Sequence, residues 1–350
     1  MRRPPRKKYY RPRGPSAELI RFKKLALLAT FLALVVVVLG AYTRLSDAGL
    51  GCPDWPGCYG QISVPGTATD ISTAEQAYPG RPVEQGKAWT EMTHRYFAGA
   101  LGALVIAIAF LALRNRKEKR QPVLLPVLLV PLIVFQAALG MWTVTLLLKP
   151  VIVMAHLLGG MATLSLLWWL AMTPGREKIE VGDSLLAKTS VLALLVLVAQ
   201  LALGGWTSSN YAALACPDFP TCQGAWWPET DFGKGFDLLH PLDTDLSSDY
   251  AGGVLEHPAR AAIHISHRIG ALIVVAVNLL LGFMLLGRSE HTAVAQSGVA
   301  LMVLTVIQIG VGIAIVGLGL PLLLASFHNA MAALLLLALL TVNRLLRLKP

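Results

Sequence analysis

The sequence predicts an all-α polytopic membrane protein, with eight transmembrane helices arranged as two pseudo-symmetric four-helix bundles. Its composition, the length of its apolar runs and an internal duplication support this prediction. Of the 350 residues, 55% are hydrophobic and 14% are charged, and the mean hydropathy is +0.60. Soluble globular chains are far less apolar.

Eight apolar runs follow one another along the chain, each close to the roughly 20 residues that a helix needs to cross a bilayer. They span approximately residues 25–43, 93–113, 123–146, 151–172, 185–207, 263–286, 293–317 and 321–342. Each run is too long and too continuous for a strand of a membrane barrel, which has about 9–11 residues of alternating polarity. Helices also satisfy their own backbone hydrogen bonds within lipid.

The positions of Lys and Arg predict the orientation of the chain in the membrane. Twenty-two of the 30 lie in the two tails and in the connections after every second helix. By the positive-inside rule, both termini are cytoplasmic in a bacterial inner membrane. The mitochondrial inner membrane, with the termini in the matrix, is the alternative. Residues 1–24 lack the apolar segment and cleavage site of a signal peptide, so we expect a retained basic tail, with an organellar presequence as the alternative. Because the net charge of +10 mostly reflects this asymmetry of Lys and Arg, we expect no nucleic-acid binding.

All four cysteines lie in the two long connections on the predicted outer side, in the similar segments "GCPDWPGCYGQ" (51–61) and "CPDFPTC" (216–222). Because that side is oxidising in bacteria, Cys52 with Cys58 and Cys216 with Cys222 are candidate disulfides. Their spacing is longer than the two to four intervening residues typical of zinc fingers, which disfavours a zinc site. A structural staple is the simplest interpretation, and a redox role for at least one pair stays open.

The duplication extends well beyond the cysteines. "LGAYT" (39–43) and "LGGWT" (203–207) match at a shift of 164, as the cysteines do, and "QAALG" (136–140) matches "QIGVG" (308–312) at 172. The sequence therefore predicts two halves of the same topology, related by an axis along the membrane normal. The predicted division is a tail (1–24), an N-terminal half (25–172), a cytoplasmic linker (173–184), a C-terminal half (185–342) and a tail (343–350).

Four histidines fall in the register of this repeat. His94 matches His267 at a shift of 173, and His156 matches His328 at 172. Each lies near the start of a helix that enters from the outer side, so all four are predicted at a similar depth. Ionisable residues within a membrane are candidate functional residues, and two histidines facing each other in a four-helix bundle can provide both axial ligands of a haem iron. Each half is therefore predicted to hold one haem.

Charged residues lie beside two of these histidines. Arg95 and Arg268 each follow a histidine and are candidate contacts for haem propionates, with snorkelling to the interface as the alternative. Glu91 lies three residues before His94 and therefore on the same helix face. It is a candidate catalytic proton acceptor, with an interfacial helix cap as the alternative. His264 occupies the matching position in the second half.

Several motifs together resemble haem A synthases, membrane enzymes that convert haem O into haem A for cytochrome oxidases. They are the first cysteine segment, "EMTHRYFAGALG", "HLLGG", "HISHRIGA" and "SFHNAMAALL". The resemblance runs from about Leu25 to Arg344. It implies a haem b cofactor and a haem O substrate, whose C8 methyl is oxidised to a formyl group by two successive hydroxylations. It also implies that the four histidines are the axial ligands of the two haem irons.

The two halves are predicted to have different roles. His267 and His328 are expected to hold haem b, because the resemblance implies a cofactor in the C-terminal half. His94 and His156 are expected to hold haem O, because Glu91 is available beside them to accept protons.

The resemblance further implies haem O synthase and cytochrome oxidase assembly factors as partners, together with membrane lipid, and leaves a homo-oligomer open. Three alternative classes share some of these features. A quinol-oxidising di-haem electron-transfer protein would use the paired histidines, and a membrane thiol–disulfide oxidoreductase would use the cysteines. A transporter would account for the repeat alone.

Overall fold

Among the residues that it describes, the computed structural model has eight helices that are long and apolar enough to cross a membrane, which confirms the predicted all-α, multi-pass fold class. It describes residues 16–118, 120–172, 179–181, 184–238, 249–288 and 292–348. Most of the predicted N-terminal tail and much of the linker lie outside these ranges. In chain order the helices are α1 (Ala17–Leu45), α2 (Ala68–Ala77), α3 (Gln85–Arg114), α4 (Leu124–Thr145), α5 (Pro150–Ala171), α6 (Ser184–Ser209), α7 (Phe232–Gly235), α8 (His257–Leu286), α9 (Thr292–Gly317) and α10 (Leu322–Leu345).

Helices α2 and α7 are short and lie in the two long connections, and the other eight are the candidate spans. Strands β1 (Ile179–Val181) and β2 (Leu346–Leu348) pair in parallel. Helices α1, α3 and α8 begin several residues before the apolar runs that predicted them. Their first turns contain polar residues. In α1 the first turn is capped by the Ser16 hydroxyl, which accepts the N–H of Leu19 at 3.4 Å, whereas α3 and α8 have no side-chain cap. Hydropathy alone does not mark such turns.

Each half of the chain forms a closed ring of four helices. In the first ring α1 packs against α3, α3 against α4, α4 against α5 and α5 against α1; in the second, α6, α8, α9 and α10 follow the same order. The rings meet where α1 contacts α10 and where α5 contacts α6 and α10. Leu, Ala and Val side chains form one core that runs through both rings.

Residues at equivalent positions of the two halves contact each other where the rings meet. A guanidinium nitrogen of Arg44 donates to the carbonyl of Ser208 at 2.8 Å, and these residues are 164 apart in sequence. Towards the other side of the membrane, the indole N–H of Trp168 donates at 3.0 Å to the hydroxyl of Thr341, which is the residue next to the equivalent position of Trp168 in the second half. A residue reaches its own equivalent only near a two-fold axis. These contacts are therefore compatible with the predicted axis.

The two cysteine segments have the same local structure. Both contain the predicted disulfides, Cys52–Cys58 and Cys216–Cys222. In the first, the Asp54 carboxylate accepts the backbone N–H groups of the two residues after Cys58, and Asp218 does the same after Cys222. Hydrogen bonds from the Thr221 hydroxyl and then from backbone N–H groups lower the pKa of Asp218 to about 2. We call residues 51–61 and 216–225 the first and second disulfide segments.

Candidate active site

A cavity of about 1800 Å³ runs through the molecule and is lined by residues from all eight spans. All four register histidines line it, and most of the other lining residues are aliphatic or glycine. Pockets that hold drug-sized ligands measure about 300–1,000 Å³. The cavity is therefore large enough for more than one bulky apolar ligand.

The histidines of each half lie on helices that are diagonal in their ring. His94 is on α3 and His156 on α5, and their ring centroids are 6.5 Å apart, with the two planes at 88°. Imidazole nitrogens bind transition-metal ions at about 2 Å, so two imidazoles on opposite sides of one ion have centroids about 6 Å apart. The separation of His94 and His156 fits a metal ion between them. His267 on α8 and His328 on α10 occupy the corresponding positions in the second ring.

A glycine on a neighbouring helix packs directly against each imidazole. An added Cβ at any of these glycines would lie 2.9–3.3 Å from the imidazole Cε1, which is closer than the roughly 3.5–4.0 Å of favourable carbon contact. The pairs are Gly40 with His94, Gly140 with His156, Gly204 with His267 and Gly312 with His328. These are the glycines of the repeated segments "LGAYT", "LGGWT", "QAALG" and "QIGVG", so the duplication preserves the contact between helix backbone and imidazole.

Glutamine side chains lie close to the histidines, and some of their polar atoms have no hydrogen-bond partner among the described residues. Gln200 Nε2 lies 3.0 Å from Nδ1 of His267, and Gln308 Nε2 lies 3.2 Å from Nε2 of His328. Among the described residues, neither side-chain polar atom of Gln136 has a partner, and Nδ1 of His328 also has none. Buried polar atoms without partners are rare in folded proteins and are typical of sites that bind a further group. The orphaned atoms, the apolar cavity and the paired imidazoles together fit a haem ligated by two histidines.

Glu91 is buried, with 4% of its surface exposed, and connects the cavity to the first disulfide segment. It lies one helical turn before His94 and lines the cavity. Its carboxylate accepts the backbone N–H of Cys52 at 2.9 Å and forms an ion pair with Arg95. Arg95 also donates to the backbone carbonyl of Asp54 at 2.9 Å. Glu91 and Arg95 therefore hold the disulfide segment against α3.

His264 takes the place of Glu91 in the second half and is equally buried. The Cys216 N–H lies 3.3 Å from its Nδ1, and Nε of Arg268 lies 3.2 Å from its Nε2. Arg268 also donates to the backbone carbonyl of Asp218 at 2.7 Å. A neutral imidazole has only one acceptor nitrogen, so His264 cannot accept from both donors at once, whereas the carboxylate of Glu91 can. The halves thus share geometry but differ in chemistry.

The structure brings the predicted site residues together and adds partners that the sequence interpretation did not include. Both arginines that were predicted to contact propionates donate to carbonyls of the disulfide segments, and propionate contact stays a prediction. The roles of Asp54 and Asp218 were also missed. The repeated "CPD" at the start of both segments was a signal for them.

These observations define a class: multi-pass membrane proteins whose helical rings carry paired histidines of the kind that ligate haem. Residues 23–340 match the family model described as "Cytochrome oxidase assembly protein". The chain belongs to this family.

Its relatives include bacterial proteins named "Heme A synthase". The protein of Shewanella oneidensis is 46% identical over 316 residues, which cover 89% of this chain and 92% of the relative. The protein of Halalkalibacterium halodurans is 26% identical over 317 residues, covering 87% and 91% of the two chains. The protein of Chelativorans sp. is 28% identical over 317 residues, covering 85% and 83%.

Proposed function

We propose that the chain is a haem A synthase, which oxidises the C8 methyl of haem O to a formyl group by two successive hydroxylations. The product would serve the assembly of cytochrome oxidase. The observation that carries the proposal is one apolar cavity with two matched histidine pairs and a buried carboxylate beside only one of them. The Shewanella oneidensis relative, named "Heme A synthase", supports it at 46% identity.

In this proposal the two pairs hold different tetrapyrroles. His267 and His328 would hold haem b as a resident cofactor, and His94 and His156 would hold and orient the substrate haem O. When bound, haem b supplies redox chemistry that side chains lack. The difference between Glu91 and His264 supports the assignment, since proton transfer is needed where the methyl group is oxidised.

Glu91 would accept the proton that leaves the methyl group in each oxidation. Its two oxygens already accept the N–H of Cys52 and the guanidinium of Arg95. A proton added to either oxygen therefore weakens one of these interactions, since a protonated oxygen is a poorer acceptor. Protonation of Glu91 and the position of the first disulfide segment would be coupled. The apolar lining of the cavity would keep bulk water from the reacting carbon.

We further propose that both termini are cytoplasmic in the bacterial inner membrane, with the disulfide segments on the outer side. The excess of Lys and Arg in alternate connections supports this orientation. Haem O synthase would deliver the substrate, and assembly factors of cytochrome oxidase would receive the product.

The test is the haem composition of membranes in which the chain is co-expressed with a haem O synthase. Haem A should appear only when the chain is present. Glu91→Gln should keep the resident haem spectrum while haem O or a hydroxylated intermediate accumulates. Glu84→Gln, which removes an exposed carboxylate from the start of the same helix, is the matched control and should behave as wild type.

Histidine variants test the assignment of the halves. His267→Ala should remove the resident haem and abolish turnover, whereas His94→Ala should abolish turnover and leave that haem in place. Haem A at the normal rate in Glu91→Gln would refute the role of the carboxylate. Bound haem without any haem A would instead favour the electron-transfer alternative.

A further inference from the structure

Arg260 is a charged residue of the cavity that has no counter-charge. It lies at the end of the first turn of α8 and lines the cavity. Its Nε is buried without a hydrogen-bond partner. Within the described parts of the chain, its guanidinium group forms no hydrogen bond and no ion pair. Only Nε is fully buried and the residue as a whole is partly exposed, so its donors are available to an anion in the cavity that the described residues do not provide.

The other charged groups nearby are already engaged. Glu256, one turn before Arg260, pairs with Lys234 at 3.2 Å. Arg268 donates to carbonyls of the second disulfide segment. Arg44, which also lines the cavity, donates to the carbonyl of Ser208 and lies 3.6 Å from an oxygen of Asp47. Arg95, the remaining cavity arginine, pairs with Glu91. Arg260 therefore differs from the other three cavity arginines in that no nitrogen of its guanidinium group has a hydrogen-bond or ion-pair partner among the described residues.

We propose that Arg260 binds a carboxylate of the tetrapyrrole that His267 and His328 hold, an inference that rests on the proposed function. Arg260 lies seven residues before His267, which places it on the same face of α8 and about 10 Å towards the disulfide segments. A haem bound by His267 would have to turn the edge that carries its propionates towards this end of the cavity. The planar guanidinium group can bind a carboxylate through two parallel hydrogen bonds.

The first half has no corresponding anchor. Lys87 occupies the equivalent position, 173 residues earlier and also seven residues before its histidine. Its side chain is 40% exposed, pairs with Glu84 at 3.0 Å and does not line the large cavity. A carboxylate anchor in one half only gives that half slower release of its ligand. This difference is useful where one tetrapyrrole must stay and the other must leave as product.

The first experiment measures how fast purified protein loses its resident haem to an excess of apomyoglobin, followed by absorbance. Arg260→Gln should lose haem roughly tenfold to a hundredfold faster than wild type, which is the effect of one charge-assisted hydrogen-bonded contact. Arg260→Lys should lose haem at an intermediate rate, because lysine keeps the positive charge but cannot form two parallel hydrogen bonds to a carboxylate. Lys87→Gln is the matched control and should release haem at the wild-type rate. Equal rates in Arg260→Gln and wild type would overturn the proposal.

The second experiment keeps the protein unchanged and alters the ligand, so it does not depend on the folding of a variant. Wild-type apoprotein is loaded with iron protoporphyrin IX or with its dimethyl ester. The ester should dissociate faster from wild type by the same factor, and in Arg260→Gln the two should dissociate alike. Equal retention of acid and ester by wild type would overturn the proposal.

A lipid phosphate is the competing anion. The discrimination between acid and ester should persist in an uncharged detergent without lipid, and its appearance only after anionic lipid is added would also overturn the proposal. Both experiments measure ligand retention and not product. If the chain fails to produce haem A, these two experiments can therefore still be interpreted independently.

Discussion

Gly40→Ala tests whether the glycine contacts determine the geometry of the histidine sites. Gly40 lies inside α1, where alanine is by itself a better helix former, so the substitution does not weaken the helix directly. The new Cβ would lie 2.9 Å from Cε1 of His94. Favourable carbon contacts begin at about 3.5 Å, so either the imidazole or α1 must move by about 0.6 Å.

A displacement of this size matters because ligand bonds tolerate little misplacement. Overpacking of a tight interior typically costs about 1–3 kcal/mol. If that energy is lost from ligation at His94 and His156, the substrate binds roughly fivefold to a hundredfold more weakly. The haem that we propose for the other half should be unaffected, because His267 and His328 pack against Gly204 and Gly312.

The assay is extraction and chromatographic separation of haems from membranes co-expressing haem O synthase, combined with the absorbance of the purified protein. Gly40→Ala should reduce haem A severalfold or more and keep the resident haem spectrum, and Gly204→Ala should weaken the resident haem. Gly86→Ala and Gly310→Ala are the controls, since a Cβ at either position meets no atom within 4 Å and neither glycine lines the large cavity. Wild-type conversion by Gly40→Ala, or equal losses in all four variants, would show that close packing does not position the imidazoles.

Two further predictions concern the disulfide segments. Thiol labelling of oxidised membranes should leave Cys52 and Cys58 unmodified. Replacing both with Ser should lower haem A production, because without the disulfide the backbone N–H at position 52 is no longer held firmly against the carboxylate of Glu91. Free thiols in fresh membranes, or full activity of the double variant, would contradict this. Because the pKa of Asp218 is lowered to about 2 from 3.8, its hydrogen bonds to the Gln223 and Gly224 amides should stabilise the segment above about pH 4 and be lost as the pH falls towards 2. Comparison of wild type with Asp218→Asn at equal pH should show slower amide exchange for wild type at pH 5 and no difference near pH 2, whereas equal exchange at both pH values would count against the role of the carboxylate.

The spans and the repeat were predictable because lipid imposes a simple requirement on sequence. A helix in a bilayer needs a long apolar run, so each of the eight spans carries its own signal. The sequence likewise shows the matching positions of the four histidines, His94, His156, His267 and His328, because duplication preserves spacing. The disulfide pairing was predictable from two short segments with one obvious partner for each cysteine.

The predicted helix starts were less accurate, because the first turns of α1, α3 and α8 contain polar residues that a search for apolar runs leaves out. The two short helices and the paired strands also carry no strong signal of hydropathy.

The partners of the charged side chains were decided only by the tertiary structure. Sequence placed Arg95 and Arg268 beside histidines, and the structure directs both to backbone carbonyls of the disulfide segments. It also shows that Arg260, which the sequence interpretation did not single out, lines the cavity and has no hydrogen-bond or ion-pair partner for its guanidinium group among the described residues. The spacing of residues along one helix fixes which of them share a face. The distance from a side chain to an atom of another segment depends on how the rings pack, and no local pattern in the chain encodes that distance.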